Sequence, residues 1–377
     1  MIELRMVKKL ICTGIVILWA KLVFPQWLNI SDITINSIQT EHGGPLIEIS
    51  YLLNEEDLTE DQPAYIFIRY SLDNGSTWLL ADNGYLKGEG FDIVSNPGKK
   101  TLLFWGSGEM GVREPQIRIR GIRMAKVPAG NFIMRSFPAG GKDPFIMKRP
   151  DTNLPEYYMA INETTISMYL DYLNEMGKEG GGWYERMANI RLCGIIRTDS
   201  DGNYTYEVIP GRENYPITYV SWYDAYAFLH WCGLTLPSEA MFEKAYVGGL
   251  YLDGDQSGKV PNPIPERKYP WGNEVPDQGG TYRCNYDREE DGFLNLAPVG
   301  SFGDYASPYG INDLAGNVAE WTLDWYTTAY HVGLDGFRMV RGGSWLALPV
   351  ACDAVSGATQ FPIRESSITG FRGVKRE

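Results

Sequence analysis

The chain is poor in the residues on which most enzyme chemistry draws, with 3 histidines and 5 cysteines in 377 residues. His42, His230 and His331 stand far apart and share no metal-ligand spacing such as HExxH, which excludes the common zinc-hydrolase patterns. Gly342-Gly343-Ser344 is not the GxSxG turn that presents a serine nucleophile. The adjacent acids Glu289-Glu290 read as a solvated loop face rather than as a glycosidase pair. Positive charge is scarce too: 34 Lys and Arg against 47 Asp and Glu leave a formal charge of −13. Nucleic-acid affinity comes largely from Lys and Arg neutralising phosphates, so a polyanionic partner is excluded.

Long apolar runs are also missing. The run from Leu10 to Ala20, preceded by Lys8 and Lys9, is too short to span a bilayer comfortably and reads as an export signal. No clear small-x-small cleavage site follows, and Lys21 separates a second apolar stretch reaching Trp27. Residues 1–27 are therefore a signal peptide or an N-terminal anchor, and the anchor form would associate the chain with a membrane. The expected location is secreted, periplasmic or cell surface. Cys12 lies too early for a lipoprotein site. The scattered Cys193, Cys232, Cys284 and Cys352 suggest one disulfide or none.

What is abundant is aromatic surface, with 11 Trp and 24 Tyr in a chain whose 44% hydrophobic and 21% charged content matches a folded globular protein. The length suits two domains. Between residues 28 and 123 the pattern is of short strands around Leu46–Tyr51, Tyr65–Tyr70, Thr101–Trp105 and Gln116–Arg123. In the last of these Ile117, Ile119 and Ile122 interleave with Arg118, Arg120 and Arg123. Turn signals at Asp73-Asn74-Gly75 and Asn96-Pro97-Gly98 complete an expected immunoglobulin- or fibronectin-like all-β sandwich. From about residue 124 helices are expected instead. Thr165 can cap one running to Met176, with Met168, Tyr172, Leu173 and Met176 on one face. Ser221 with Asp224 can start a second, with Trp222, Tyr226, Leu229 and Cys232 inward and Gly233 at its end. Ser238 can start a third. Beyond Gly248 the Gly, Pro, Asn, Asp and aromatic content indicates long loops pinned by specific contacts.

A series of motifs runs through this second part. It comprises Val127-Pro128-Ala129-Gly130-Asn131-Phe132, Asn162-Glu163-Thr164-Thr165, Val220-Ser221-Trp222-Tyr223-Asp224, and Leu236-Pro237-Ser238-Glu239-Ala240. Tyr269-Pro270-Trp271-Gly272, Gly316-Asn317-Val318-Ala319-Glu320-Trp321, Arg341-Gly342-Gly343-Ser344-Trp345 and Gly370-Phe371-Arg372 follow. In this order they resemble the formylglycine-generating-enzyme (sulfatase-modifying factor) family. The resemblance covers residues 124–377, about two thirds of the chain. It implies an α+β, C-type-lectin-related fold with much irregular loop structure, placed after the all-β sandwich.

The resemblance further implies calcium at two sites. One takes Asn285 and Asp291 with the carbonyls of Tyr286 and Phe293; the other takes Asp313 and Glu320 with the carbonyls of Gly316 and Val318. Closely spaced hard oxygens suit that ion, although Asn and Asp in loops also cap turns. Active members oxidise a substrate cysteine with copper(I) held by two thiolates, at the second and seventh positions after the aromatic residue of the Gly-Gly-Ser-aromatic turn. Here those positions are Ala347 and Cys352, so the pair is incomplete and copper is not expected. Ser344 matches the family's active-site serine, and with Cys352 would be the catalytic set if the chain were active. The plainer reading of Cys352 is a small buried core residue. Cys232, on a helix face, and Cys284, beside a calcium loop, are not expected to replace the missing thiol.

Residues 346–369 are similar in placement to the ligand-facing region of lectin-like proteins with this domain, including variable proteins diversified by retroelements. Trp345, Leu346, Leu348, Asp353, Val355, Gln360, Phe361, Arg364 and Glu365 are the candidate ligand-binding residues, with core filling as the alternative for Leu346, Leu348 and Phe361. The expected function is thus a non-catalytic exported binding or adhesion protein for a protein or glycan ligand. The alternatives are a formylglycine-generating oxidase and a structural part of an exported assembly such as gliding machinery.

Overall fold

In the computed structural model of the chain the described residues are 27–38, 46–81, 84–105, 115–136, 147–177, 181–255, 258–287, 289–326 and 336–376. Residues 1–26 of the candidate export segment, His42 and His331 lie outside them. Among the described residues no helix is long and apolar enough to cross a membrane.

The first strands are β1 (Ile30–Ile38), β2 (Leu46–Leu53), β3 (Ala64–Ser71), β4 (Leu79–Leu80), β5 (Leu86–Glu89), β6 (Asp92–Val94), β7 (Gly98–Trp105) and β8 (Gln116–Val127). They make a sheet in the order β1-β2-β7-β5 and a second in which β3 carries β4, β6 and β8. Every second residue of β2 points inward as the pleat requires, so Ile47, Ile49, Tyr51 and Leu53 are buried. They share one core with Ile66 and Ile68 of β3, Leu102 and Phe104 of β7, and Ile119 of β8. Each such side chain contributes roughly 1.5–3 kcal/mol by leaving water.

Arg118 and Arg120 of β8 lie on the other face, while Arg123 reaches Asp57 and Gln62 of the first part. Arg118 and Arg120 pair with Glu175 and Asp171 at 2.7 and 3.0 Å. Both acids belong to helix α1, introduced below. Trp27, at the end of the candidate export segment, packs on Phe67 and Trp231 with ring centroids 5.8 and 6.4 Å apart.

The remaining elements are β9 (Gly130–Ser136), β10 (Met147–Leu154), β11 (Tyr157–Ala160), α1 (Ile166–Met176), β12 (Ile195–Ser200) and β13 (Asn203–Val208). After them come α2 (Trp222–Trp231), α3 (Glu239–Val247), β14 (Ala319–Trp325), β15 (Arg338–Arg341), β16 (Gly357–Gln360), β17 (Thr369–Gly370) and β18 (Val374–Arg376). The strand β8 runs unbroken through the expected boundary and changes partner there. Its residues up to Arg123 pair with β3, and those from Met124 to Val127 pair with β11. One sheet of order β18-β11-β8-β3-β4 therefore joins the two parts of the chain. Tyr65 and Phe67 of β3 enter the same core as Leu173, Phe228 and Trp231.

The three helices start where the capping residues stand. Thr165 Oγ1 accepts from Met168 N, Ser221 and Asp224 close a capping box, and Ser238 Oγ accepts from Met241 N at 3.2 Å. The faces differ in part from the periodic reading. Met176 is half exposed and Tyr169 is buried in α1; in α2 Tyr226 is exposed while Ala225 and Phe228 are buried. The reason is that α2 is flanked on two sides, by α1 and by Phe371, so its buried stripe is wider than a single 3.6-residue seam. From Gly248 to Val318 the described residues form only short 3₁₀ turns and isolated bridges.

Candidate functional site

The turn after β15 is built from two consecutive left-handed glycines, Gly342 at φ 96° and Gly343 at φ 77°. A Cβ on Gly342 would stand 2.6 Å from Leu314 O, and one on Gly343 would stand 2.8 Å from Cys352 Sγ, so only glycine fits. Arg341, just before the turn, is buried and holds Glu239 and Glu243 of α3 at 2.7 and 3.1 Å. Trp345, just after it, donates its backbone N–H to Asn317 O at 2.8 Å and its indole N–H to Ser367 O at 3.1 Å. The tryptophan is thereby fixed from both ends. Ser344 is 2% exposed and faces the interior rather than solvent.

Opposite Trp345 lies the loop with the first expected calcium set. Asn285 is buried, and its amide donates to Asn295 O at 2.8 Å and to Asn317 Oδ1 at 3.1 Å. Its own Oδ1 is buried with no donor. Asp291 accepts the Phe293 N–H at Oδ1, 2.8 Å away, while its Oδ2 is likewise buried without a donor. Burial pushes the Asp291 carboxyl up to about 6. Two orphaned acceptor oxygens in one loop are costly unless something positive meets them, and a hard cation such as calcium fits that need.

The second set is arranged differently. Glu320 is fully buried and places both carboxylate oxygens on Arg372, at 2.7 Å from Nε and 2.7 Å from Nη2. The guanidinium also donates to Ala160 O and Ile161 O at 3.2 and 3.0 Å. Asp313 accepts the Gly300 N–H at 2.5 Å, and burial raises its carboxyl to about 6. Glu163 accepts from Asn317 Nδ2 and Val318 N at 2.9 and 3.3 Å. Burial, then the charges of Asp313 and Glu320, hold Glu163 well above the ordinary carboxylate range. Glu320, read from sequence as a ligand, is thus the partner of Arg372. Gly316 and Val318 donate their N–H groups to Gly342 O and Glu163 within the same network. Neither Asp313 nor Glu320 carries an orphaned buried oxygen like those of the first set.

Between the first loop and the turn is a cavity of about 560 Å³ lined by Tyr286, Asp287, Glu290, Phe293, Leu294, Trp345 and Leu346. Its walls are bridged by one backbone bond, from Asp287 N to Ala347 O at 3.1 Å. Leu294 and Leu346 are exposed at its mouth. Of the nine candidate binding residues only Trp345 and Leu346 line it. Leu348, Phe361 and Arg364 are exposed elsewhere, and Phe361 stacks on Phe337 with centroids 4.0 Å apart.

Val355 and Gln360 are buried and stand away from the cavity. Gln360 pairs with Arg338 across the β16–β15 ladder and donates to Thr369 Oγ1 at 2.6 Å. Gln360 ends β16, in a stretch read as loop, whereas Val355 precedes that strand and lies in the turn before it. Asp353 accepts the Val355 N–H in a local turn at 3.1 Å, and Glu365 is half-buried. Asp287 and Leu294 escaped the sequence reading, and Glu290 was read only as part of a solvated loop face, because acidic residues beside an apolar one are common in loops.

Cys352 is buried, and no sulfur stands at Ala347. Cys284 is buried in the same cluster as Cys352. The loop from Cys284 to Phe293 folds back onto the turn that ends at Cys352, with Asp287 N donating to Ala347 O. Burial holds the Cys284 thiol well above its usual range, which disfavours the thiolate that a soft metal needs. The family's two-thiolate arrangement is not reproduced.

A family model described as the sulfatase-modifying factor enzyme 1-like domain matches residues 110–377. The formylglycine-generating enzyme of Thermomonospora curvata is 34% identical over 188 residues, which are 44% of this chain and 56% of that protein. The inactive C-alpha-formylglycine-generating enzyme 2 of Bos taurus is 37% identical over 136 residues, 35% of this chain and 39% of that protein. The chain spans about half the length, or less, of these curated relatives. Among solved structures, Treponema denticola variable protein 1 superposes with a TM-score of 0.46 at 17% identity, over 68% of this chain and 96% of that one.

Proposed function

Because the chain belongs to the sulfatase-modifying factor enzyme 1-like family, we propose that it is a non-catalytic member of it, exported, and built to bind a ligand at the cavity between Tyr286 and Trp345. The observation that carries this reading is the pairing of a rigid aromatic wall with an acidic mouth, in a site where Ala347 stands in place of a thiolate. Trp345, Phe293 and Leu346 offer apolar and aromatic surface, and Asp287 and Glu290 offer negative charge. That combination suits a cationic, partly apolar group on a protein or glycan ligand. Calcium at Asn285 and Asp291 would stiffen the loop that forms one wall, a structural role rather than a chemical one.

The strands from Ile30 to Arg123 we read as an immunoglobulin-like module, and the Lys8-Lys9 apolar segment as the export signal. The test has two arms. Tryptophan fluorescence should be quenched by lysine- or arginine-rich peptides, with at least a tenfold loss of affinity in Trp345→Ala. Copper(I)-loaded protein should leave a peptide bearing the sulfatase-type Cys-x-Pro-x-Arg sequence unchanged by mass spectrometry. Formylglycine in that peptide would replace this reading with the oxidase one.

A further inference from the structure

A second cavity, of about 210 Å³, lies where the two parts of the chain meet and shares no residue with the one beside Trp345. Its walls include Arg69 of β3, Arg118 and Arg120 of β8, Asp171 and Glu175 of α1, and Trp231 of α2. Three guanidinium groups meet two carboxylates there, which leaves one positive charge in excess in a protein whose formal charge is −13. Arg69 is buried and engaged at all three nitrogens: it reaches Glu175, and it donates to Trp231 O and Trp78 O at 2.8 and 2.5 Å. Glu175 is engaged at both oxygens, one by Arg69 and by the Trp231 indole at 2.8 Å, the other by Arg118 Nη1 at 2.7 Å.

Arg118 differs from Arg69. Its guanidinium stands over the Trp78 ring, 3.9 Å from the centroid, and Trp78 is held by the turn before it, where Asp73 accepts the N–H and the hydroxyl of Thr77 at 2.8 and 2.6 Å. Among the described residues Arg118 hydrogen-bonds only through Nη1, so its Nε–Nη2 edge has no partner. That edge is the one through which Arg372 holds both oxygens of Glu320. Arg120 uses Nε on Asp171 and Nη1 on Ile119 O, at 3.0 and 3.3 Å, with Nη2 left over. Burial, and to a smaller degree the charge of Arg118, lower the Arg69 pKa, a crowding that a bound anion relieves.

We propose that this cavity binds a single oxyanion group, a carboxylate or a phosphate, on the open edge of Arg118 with Arg120 as second donor. A planar guanidinium fixed by stacking, with its fork free, is preorganised for two parallel hydrogen bonds to such a group. The volume suits one group with its waters rather than a chain of them, in keeping with the exclusion of polyanions.

The test is isothermal titration calorimetry of the full chain with sodium acetate and with inorganic phosphate, at an ionic strength held constant with sodium chloride so that screening does not change. One saturable site is expected for at least one of the two. Its affinity should fall at least tenfold in Arg118→Lys, which keeps the charge beside Glu175 but lacks the fork. Trp345→Ala should leave the titration unchanged, which separates this site from the ligand cavity. Glucuronic acid and glucose 6-phosphate then identify the source of the group: binding tighter than that of the simple ion assigns it to a sugar, and equal or weaker binding assigns it to the free ion. No saturable heat with any of the four, or an affinity that Arg118→Lys leaves intact, would overturn the proposal. The titration of the unaltered chain needs no variant, so a misfolded Arg118→Lys cannot obscure it.

Discussion

The described residues of 46–105 and of 248–318 each contribute to a buried core, yet they satisfy their backbone polar groups in different ways. In the first, β2 and β7 pair over eight consecutive positions and β3 and β8 over another eight, so most polar groups are met by a neighbouring strand. In the second, side chains take that role. Asn262 donates to Val247 O and Gly249 O at 3.0 and 2.9 Å, and Arg267 donates to Pro270 O and Asn262 Oδ1 at 3.0 and 2.8 Å. Asn317 likewise serves Glu163, Asn285 and Ala297 at once. A ladder shares its load over many similar bonds, whereas a loop concentrates it in a few polar side chains whose loss strands several partners.

The largest expected effect comes from the same kind of concentration just beyond that loop, at Arg372 and Glu320. Arg372→Met should cost about 3–5 kcal/mol in urea denaturation, because it leaves Glu320 buried without its partner. Ile49→Val in the ladder region should cost about 0.5–1.5 kcal/mol. Equal costs for the two would erase the contrast.

Calcium removal is next. With calcium at one hundred times its dissociation constant, chelation should lower stability by about 2.7 kcal/mol, and Asp291→Asn should make the melting curve indifferent to chelator. A wild-type curve unmoved by chelator would remove the ion from the first loop.

The contrast also has a pH signature. Asp291 and Asp313 both titrate near 6 in the fold against an ordinary value of 3.8, raised mainly by burial. The folded state therefore binds more protons than the unfolded state between those values. Stability of the chelated protein should be fullest below about 4 and fall as the pH rises through about 6. Calcium, which favours the ionised carboxylate, should flatten that fall at Asp291. Denaturation midpoints across this range with and without calcium measure both slopes. The smallest effect is expected at the half-exposed Arg120–Asp171 pair, where Arg120→Ala should cost about 1 kcal/mol or less in the same assay.

Local chemistry was legible without coordinates. Thr165, Ser221 and Ser238 mark helix starts, because a cap is a contact between residues three apart. The strands of the first part follow from alternation, the family motifs mark the Gly342-Gly343 turn, and the resemblance points to the Asn285 loop. Helix faces were less legible: Met176 and Tyr226 fit a seam by periodicity, but packing on more than one side chose Tyr169 and Phe228 instead. Gln360 was placed on a loop because a four-residue strand leaves too short a pattern to read.

The sequence by itself determined the order of elements, their caps and turns, the net negative charge and the absence of a second thiol at position 347, since each depends on residue type and near neighbours. Only the tertiary structure decided that Glu320 serves Arg372, that Cys284 and Cys352 share one buried cluster, and that Asp287 and Glu290 share a cavity with Trp345. Those contacts join residues some 50 to 70 positions apart. Their partners are chosen by how the whole core packs, which no short window of sequence contains.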